Sequence, residues 1–287
     1  MKKSKYVIKI YLLVFENNNT ERGDKMTRKT KISVFAALIV ILLSFNCFYA
    51  QANEKAQGWY CVHRSDHKQP KADSRFDYIE EYGGYYIDKK HGDECDEKVI
   101  YLTFDVGYEN GNVERVLDAL KEQDVTGAFF VLGNVIKNNT ELINRMYDEG
   151  HLVCNHTYSH KDITQENTEK LKGELEKLEA LCLEKTGKQM SKYFRPPEGR
   201  FNEKSLENLD SWGYKTIFWS FAYADWDNDR QLSDEKARQK ILENVHNGEI
   251  MLLHPTSRTN ANILSGVIKE LKEEGYRFGT LDELCQN

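Results

Sequence analysis

The chain has 287 residues, of which 40% are hydrophobic and 30% charged, with a formal net charge of -6. That is room for one large domain or two small ones with an ordinary globular core. Outside the N-terminal leader there is no basic stripe interleaved with aromatics, so nucleic acid is excluded as the partner and a neutral or mildly charged substrate is expected.

Residues 1–52 are read as a leader outside the fold. Arg28, Lys29 and Lys31 precede an apolar run from Ile32 to Ala50, and Ala50-Gln51-Ala52 has the small-x-small form of a signal-peptidase site. A cleaved signal peptide and an uncleaved membrane anchor both fit, since the run is about as long as a spanning helix. Either one predicts an exported, extracytoplasmic protein, with Met26 as an alternative start. Five cysteines remain beyond the leader, Cys61, Cys95, Cys154, Cys182 and Cys285, without a C-x-x-C, so neither a disulfide framework nor a cysteine zinc site is expected.

Residues 53–97 are polar and tyrosine-rich, with Gly83-Gly84 as a break, and predict an extended arm that wraps the main domain. From Lys98 onward, strand and helix patterns alternate. The run K-V-I-Y-L-T-F-D-V reads as a strand covered on both faces, ending at Asp105, and Val113–Glu122 has helical spacing. Further strands are expected at Val125–Leu132, His151–His156, Lys192–Arg195, Tyr214–Ser220, Glu249–His254 and Tyr276–Leu281. Helices are expected around Glu141–Glu149, Asn167–Thr186, Glu203–Trp212, Asp234–His246 and Ala261–Glu274. Seven strands alternating with helices predict an α/β fold, a parallel sheet closed or nearly closed into a barrel, with its site at the strand C-termini.

Polar residues collect at those ends. Asp105 ends the first strand, His156 and His160 follow the third, Arg195 ends the fourth, Asp225 and Trp226 follow the fifth, and His254 ends the sixth. The i, i+4 spacing of His156 and His160 would turn both imidazoles one way on a helical turn, as a divalent metal requires. Singly, each residue has a plainer reading: a helix cap for Asp105, an ion pair for Arg195, a core histidine for His254, a loop brace for Asp225.

Jointly, T-F-D-V-G (Thr103–Gly107), H-T-Y-S-H (His156–His160), R-P-P-E-G (Arg195–Gly199), A-D-W (Ala224–Trp226) and L-L-H (Leu252–His254) resemble, in order and spacing, the polysaccharide deacetylases of carbohydrate esterase family 4, over about residues 98–284. Within that family F-D-V-G-Y-E-N-G and F-W-S-F-A-Y-A-D-W look most like the delta-lactam-biosynthetic de-N-acetylases. The resemblance implies a deformed β/α barrel of about seven parallel strands and hydrolysis of an N-acetyl group on a peptidoglycan sugar. That sugar would be muramic acid of the spore cortex, acted on by a monomer after an amidase has removed the stem peptide. It also implies Asp105 as general base, His254 as general acid, Arg195 and Asp225 as their partners, and His156 and His160 as ligands of zinc, cobalt or manganese. Tyr108, Pro197, Glu198, Gly199, Trp219 and Trp226 would line the sugar.

Two departures from the family pattern stand out. Val106 occupies the place of the acid that serves as third metal ligand, which predicts weak metal binding. Glu198 stands where an aromatic is common, and its carboxylate would repel an anionic substrate group.

Overall fold

The computed structural model describes residues 55–286, and the expected leader lies outside them. No helix among the described residues is long and apolar enough to cross a membrane.

Among the described residues there are ten strands: β1 (Gln57–Gly58), β2 (Gly84–Tyr85), β3 (Lys98–Val106), β4 (Ala128–Val131), β5 (Leu152–Asn155), β6 (Ser191–Phe194), β7 (Arg200–Phe201), β8 (Lys215–Ile217), β9 (Glu249–Leu253) and β10 (Tyr276–Phe278). The helices are α1 (Asn112–Glu122), α2 (Gly133–Asn138), α3 (Thr140–Asp148), α4 (Thr168–Thr186), α5 (Glu203–Ser211), α6 (Asp234–Asn244), α7 (Arg258–Glu273) and α8 (Leu281–Cys285). The seven expected strands pair in parallel, with β3 central between β9 and β4, followed outward by β5, β6 and β8, while β10 pairs with the start of β3. The sheet curls until Phe221, beyond β8, bridges Met251 of β9, which gives the deformed barrel expected for an α/β chain of this pattern.

Alternation along β3 sorts the core into two layers. Val99 and Tyr101 join Ala128, Phe130, Cys154, Ile217 and Ile250 in one apolar cluster, whereas Ile100, Leu102, Phe104 and Val106 join the cluster formed with residues of the surrounding helices, among them Val113, Val135 and Leu264. Asp105 therefore shares the face of Val99 and Tyr101, and Val106 is fully buried on the other.

The segment expected as an extended arm is more structured than that. It lays β1 antiparallel to β7, forms a 3-10 segment at Ser74–Tyr82, and adds β2 as an eighth parallel strand beside β8. Its end is fixed by Asp88, which accepts hydrogen bonds from Tyr101 Oη at 2.5 Å and His91 Nδ1 at 2.6 Å, all three residues being buried.

Two local expectations are corrected, and α2, six residues long, is an added element too short to show helical periodicity. β8 ends at Ile217, three residues short of the expected strand, because Arg195 takes the carbonyls of Ile217 (2.9 Å) and Phe218 (3.1 Å). The His156–His160 segment is not a helical turn: Asn155 Oδ1 accepts the Thr157 N–H and Thr157 Oγ1 accepts the His160 N–H, both at 2.9 Å, with left-handed φ of 68° at Thr157 and 57° at His160. Side-chain bonds of this kind compete with helix formation.

Candidate active site

The rim presents two ion pairs, one buried and one partly buried. At the end of β3, Asp105 Oδ1 accepts from Arg195 Nη1 at 3.0 Å. Arg195 has no exposed surface, and three more of its five N–H donors go to Ile217 O, Phe218 O and Thr103 Oγ1. Thr103 in turn donates to Met251 O at 2.7 Å, and the guanidinium lies 4.4 Å from the Phe130 ring centre. A planar guanidinium held by four hydrogen bonds is a fixed charge, so it sets the position of the carboxylate. Burial alone would raise the Asp105 carboxyl, but Arg195, with the His156 and His254 imidazoles, more than offsets it and brings it below the ordinary carboxylate value.

The second pair closes β9. His254 Nδ1 donates to Asp225 Oδ1 and the His254 backbone N–H to Asp225 Oδ2, both at 2.7 Å. Burial would lower the imidazole, yet Asp225 and Asp105 outweigh it and raise His254 above its ordinary value. Its Nε2 is left as the donor toward solvent or substrate. The Trp226 ring, largely exposed, stands 6.2 Å from the His254 ring.

His156 lies beside the first pair. Its Nδ1 donates to Arg195 O at 2.8 Å, which leaves Nε2 as a lone pair 3.7 Å from Asp105 Oδ2. Burial holds His156 down at about 4, so it is neutral at physiological pH. His160, exposed, brings its ring centre to 5.1 Å from that of His156. A neutral imidazole whose far nitrogen is anchored to a carbonyl is the usual state of a metal-ligating histidine. The two imidazoles thus fit a divalent metal of borderline softness such as zinc. Among the described residues, however, no group of three or more His, Cys, Asp or Glu side chains is arranged to hold a metal. Val106, at the position of the missing acid, is packed in the apolar cluster.

The residues expected to line the sugar are placed as follows. Tyr108 is exposed, and its hydroxyl accepts from Asn228 Nδ2. Pro197, Glu198 and Gly199 form a tight turn with left-handed φ of 57° at Glu198 and 65° at Gly199. A Cβ on Gly199 would come within 2.7 Å of the Trp219 ring, so this position needs glycine on both counts. Trp219 lies 5.7 Å over Arg195, and its carbonyl accepts from Trp59 Nε1 of the arm at 2.9 Å. Thr103, Tyr223 and Asn260 were not singled out from the sequence for roles of their own. Asn260 Nδ2 donates to Asp225 Oδ2 at 2.6 Å and His254 O at 3.1 Å. No sequence signal marks Asn260, because the burial of an asparagine on a helix cannot be read from pattern.

A buried carboxylate–arginine pair beside a partly buried histidine–carboxylate pair, on the rim of an α/β barrel, defines an acid–base hydrolase site. Comparison with known proteins gives the family. Residues 92–217 match the polysaccharide deacetylase family model. The chain is 40% identical over 227 residues to the peptidoglycan-N-acetylmuramic acid deacetylase PdaA of Bacillus subtilis, covering 79% of this chain and 84% of that one. The PdaA structure, a family 4 carbohydrate esterase, superposes with a TM-score of 0.76 at 39% identity over 80% of this chain and 97% of that one. The peptidoglycan-N-acetylglucosamine deacetylase PgdA of Listeria monocytogenes is 34% identical over 191 residues, 65% of this chain and 39% of that protein. A family 4 pseudoenzyme from Bacillus anthracis superposes with a TM-score of 0.62 at 28% identity, covering 70% of this chain and 68% of that one. The chain belongs to the polysaccharide deacetylase family, the family 4 carbohydrate esterases, and is a hydrolase of that class.

Proposed function

We propose that this protein hydrolyses the N-acetyl group of peptidoglycan amino sugars and releases acetate. The observation that carries the reading is the pairing of Asp105 with Arg195 and of His254 with Asp225 on one rim, each held by a hydrogen bond of 3.0 Å or less. Asp105, kept ionised, takes a proton from the attacking water. His254, kept protonated, gives one to the leaving amine. Arg195 and Asp225 hold the two groups in those states and orientations. A divalent metal held by His156 and His160 would supply Lewis acidity toward the water and the amide carbonyl.

The likeness to PdaA favours N-acetylmuramic acid over N-acetylglucosamine, and on that reading the product closes to the muramic lactam of the spore cortex after an amidase has freed the lactyl carboxylate. The enzyme would then act outside the cytoplasm on the glycan strand. Acetate release from peptide-stripped glycan, intact peptidoglycan and chitin oligomers, each with and without chelator, tests this. Stripped glycan is expected to be fastest, and equal rates on all three would contradict the muramic assignment.

A second reading, a wall-glycan binding module without turnover, is favoured by one observation, Val106 in place of the third metal ligand. Retention of both proton-carrying pairs argues against it, since a pure binder has no use for them.

A further inference from the structure

Behind the His254–Asp225 pair stands a second layer that the acid–base reading does not use. Asp225 is buried, and both its oxygens are committed: Oδ1 to His254 Nδ1 at 2.7 Å, and Oδ2 to the His254 N–H at 2.7 Å and Asn260 Nδ2 at 2.6 Å. Asn260 Nδ2 spends its other hydrogen on His254 O at 3.1 Å. Both neighbours of that nitrogen are pure acceptors, which fixes the orientation of the amide. Its oxygen accepts from the Tyr223 hydroxyl, and Tyr223 and Asn260 are themselves buried. Asn260 holds its own place because it lies in the first turn of α7, where its backbone N–H is capped by Ser257 Oγ at 3.1 Å.

We propose that Asn260, braced by Tyr223, is a positioning residue for the proton donor: its amide clamps the Asp225 carboxylate and the His254 backbone together, so that Nε2 of His254 is aimed at the leaving nitrogen. The inference rests on the assignment of His254 as general acid. Two hydrogen bonds to charged or backbone acceptors from one amide fix both distance and angle, and neither could be replaced by water in so dry a place. Loss of the clamp lets the carboxylate rotate and the imidazole drift, and misplacement of a catalytic group by about 1 Å costs on the order of 100-fold in rate. Asn260 touches no substrate, so the effect belongs to kcat and not to KM.

The charged groups that act on His254 are Asp225 from the loop after β8, Asp105 from β3 and Arg195 from the end of β6. Of these only the Asp225 contact depends on Asn260. Its weakening lowers the pH at which His254 loses its proton, and this moves the alkaline limb of kcat.

The test compares Asn260→Ala, Tyr223→Phe, His254→Ala and a control, Val267→Ala, which opens a cavity on the same helix away from the site. Steady-state acetate release is measured across pH, per folded molecule. Asn260→Ala is expected to lose roughly 10- to 100-fold in kcat with KM unchanged and its alkaline limb at lower pH. Tyr223→Phe, which removes only a hydroxyl, should move both in the same direction by a few-fold, while Val267→Ala keeps the wild-type kcat and profile. A wild-type kcat and limb in Asn260→Ala, or a loss matched by Val267→Ala, would overturn the proposal. If Asn260→Ala does not fold, a wild-type profile in Tyr223→Phe overturns it alone. Turnover surviving in His254→Ala would instead overturn the underlying assignment of the acid.

Discussion

Arg195 Nη1 donates to Asp105 Oδ1 at 3.0 Å, and that guanidinium is fully buried with three further partners. The pair is therefore structural and functional at once. Arg195→Met removes one partner of a buried ion pair and is expected to cost about 3–5 kcal/mol. Pairing it with Asp105→Asn should recover part of that loss, because no uncompensated charge remains. Urea unfolding of the two single variants and the double variant measures the coupling, and strict additivity would contradict it.

Glu249 provides a prediction about pH. Its side chain is fully buried, Oε2 accepts from the His246 N–H at 3.1 Å, and burial raises its carboxyl well above the ordinary value. A carboxyl raised in the folded state stabilises fully below its unfolded pKa and loses that contribution as pH rises toward the folded value. Its neighbour His246, held by burial at about 4, acts oppositely: protonation of the unfolded chain withdraws stability as pH falls below about 6.5. The difference between wild type and Glu249→Gln isolates the carboxyl. Urea midpoints at pH 5 and pH 8 should show wild type losing ground to Glu249→Gln at the higher pH, and a pH-independent difference would contradict the assignment.

Much of this was legible in the sequence, and what was not has a common cause. The long-range position of Asp105, Arg195 and His254 follows from strand ends in a parallel sheet, marked by apolar runs that stop on a polar residue, whereas Asp225 lies in the loop after β8. The shape of β8 and of the His156–His160 segment was not legible, because there side chains take over backbone partners: Arg195 removes two carbonyls from the ladder, and Asn155 and Thr157 replace helical bonds. Asn260 was hidden because a buried asparagine on a helix is indistinguishable by pattern from a surface one.

Val106 connects metal affinity to packing. Zinc or cobalt titration of chelator-stripped protein should show binding roughly 10-fold or more tighter in Val106→Asp, as a charged ligand is added to two imidazoles. The same substitution puts a carboxylate into the apolar cluster, so the metal-free variant should melt below wild type and regain stability with metal. Equal affinities would mean that another ligand already completes the wild-type site.

The turn at Gly199 joins the arm to the rim. Trp59 N–H donates to Gly199 O at 2.9 Å, and a Cβ at Gly199 would meet Trp219. Gly199→Ala is expected to destabilise by about 1–3 kcal/mol and to alter tryptophan emission, since left-handed strain and a ring clash coincide. An unchanged melting temperature and spectrum would show that the turn relaxes freely.

The central claim is that Asp105 and His254 are the proton carriers of the deacetylation. Acetate release from peptide-stripped glycan by wild type, Asp105→Asn and His254→Ala, with folding checked by circular dichroism, tests it most directly. The account predicts release by the wild type and loss of roughly 100-fold or more in each folded variant. Release near the wild-type rate from either variant would contradict it.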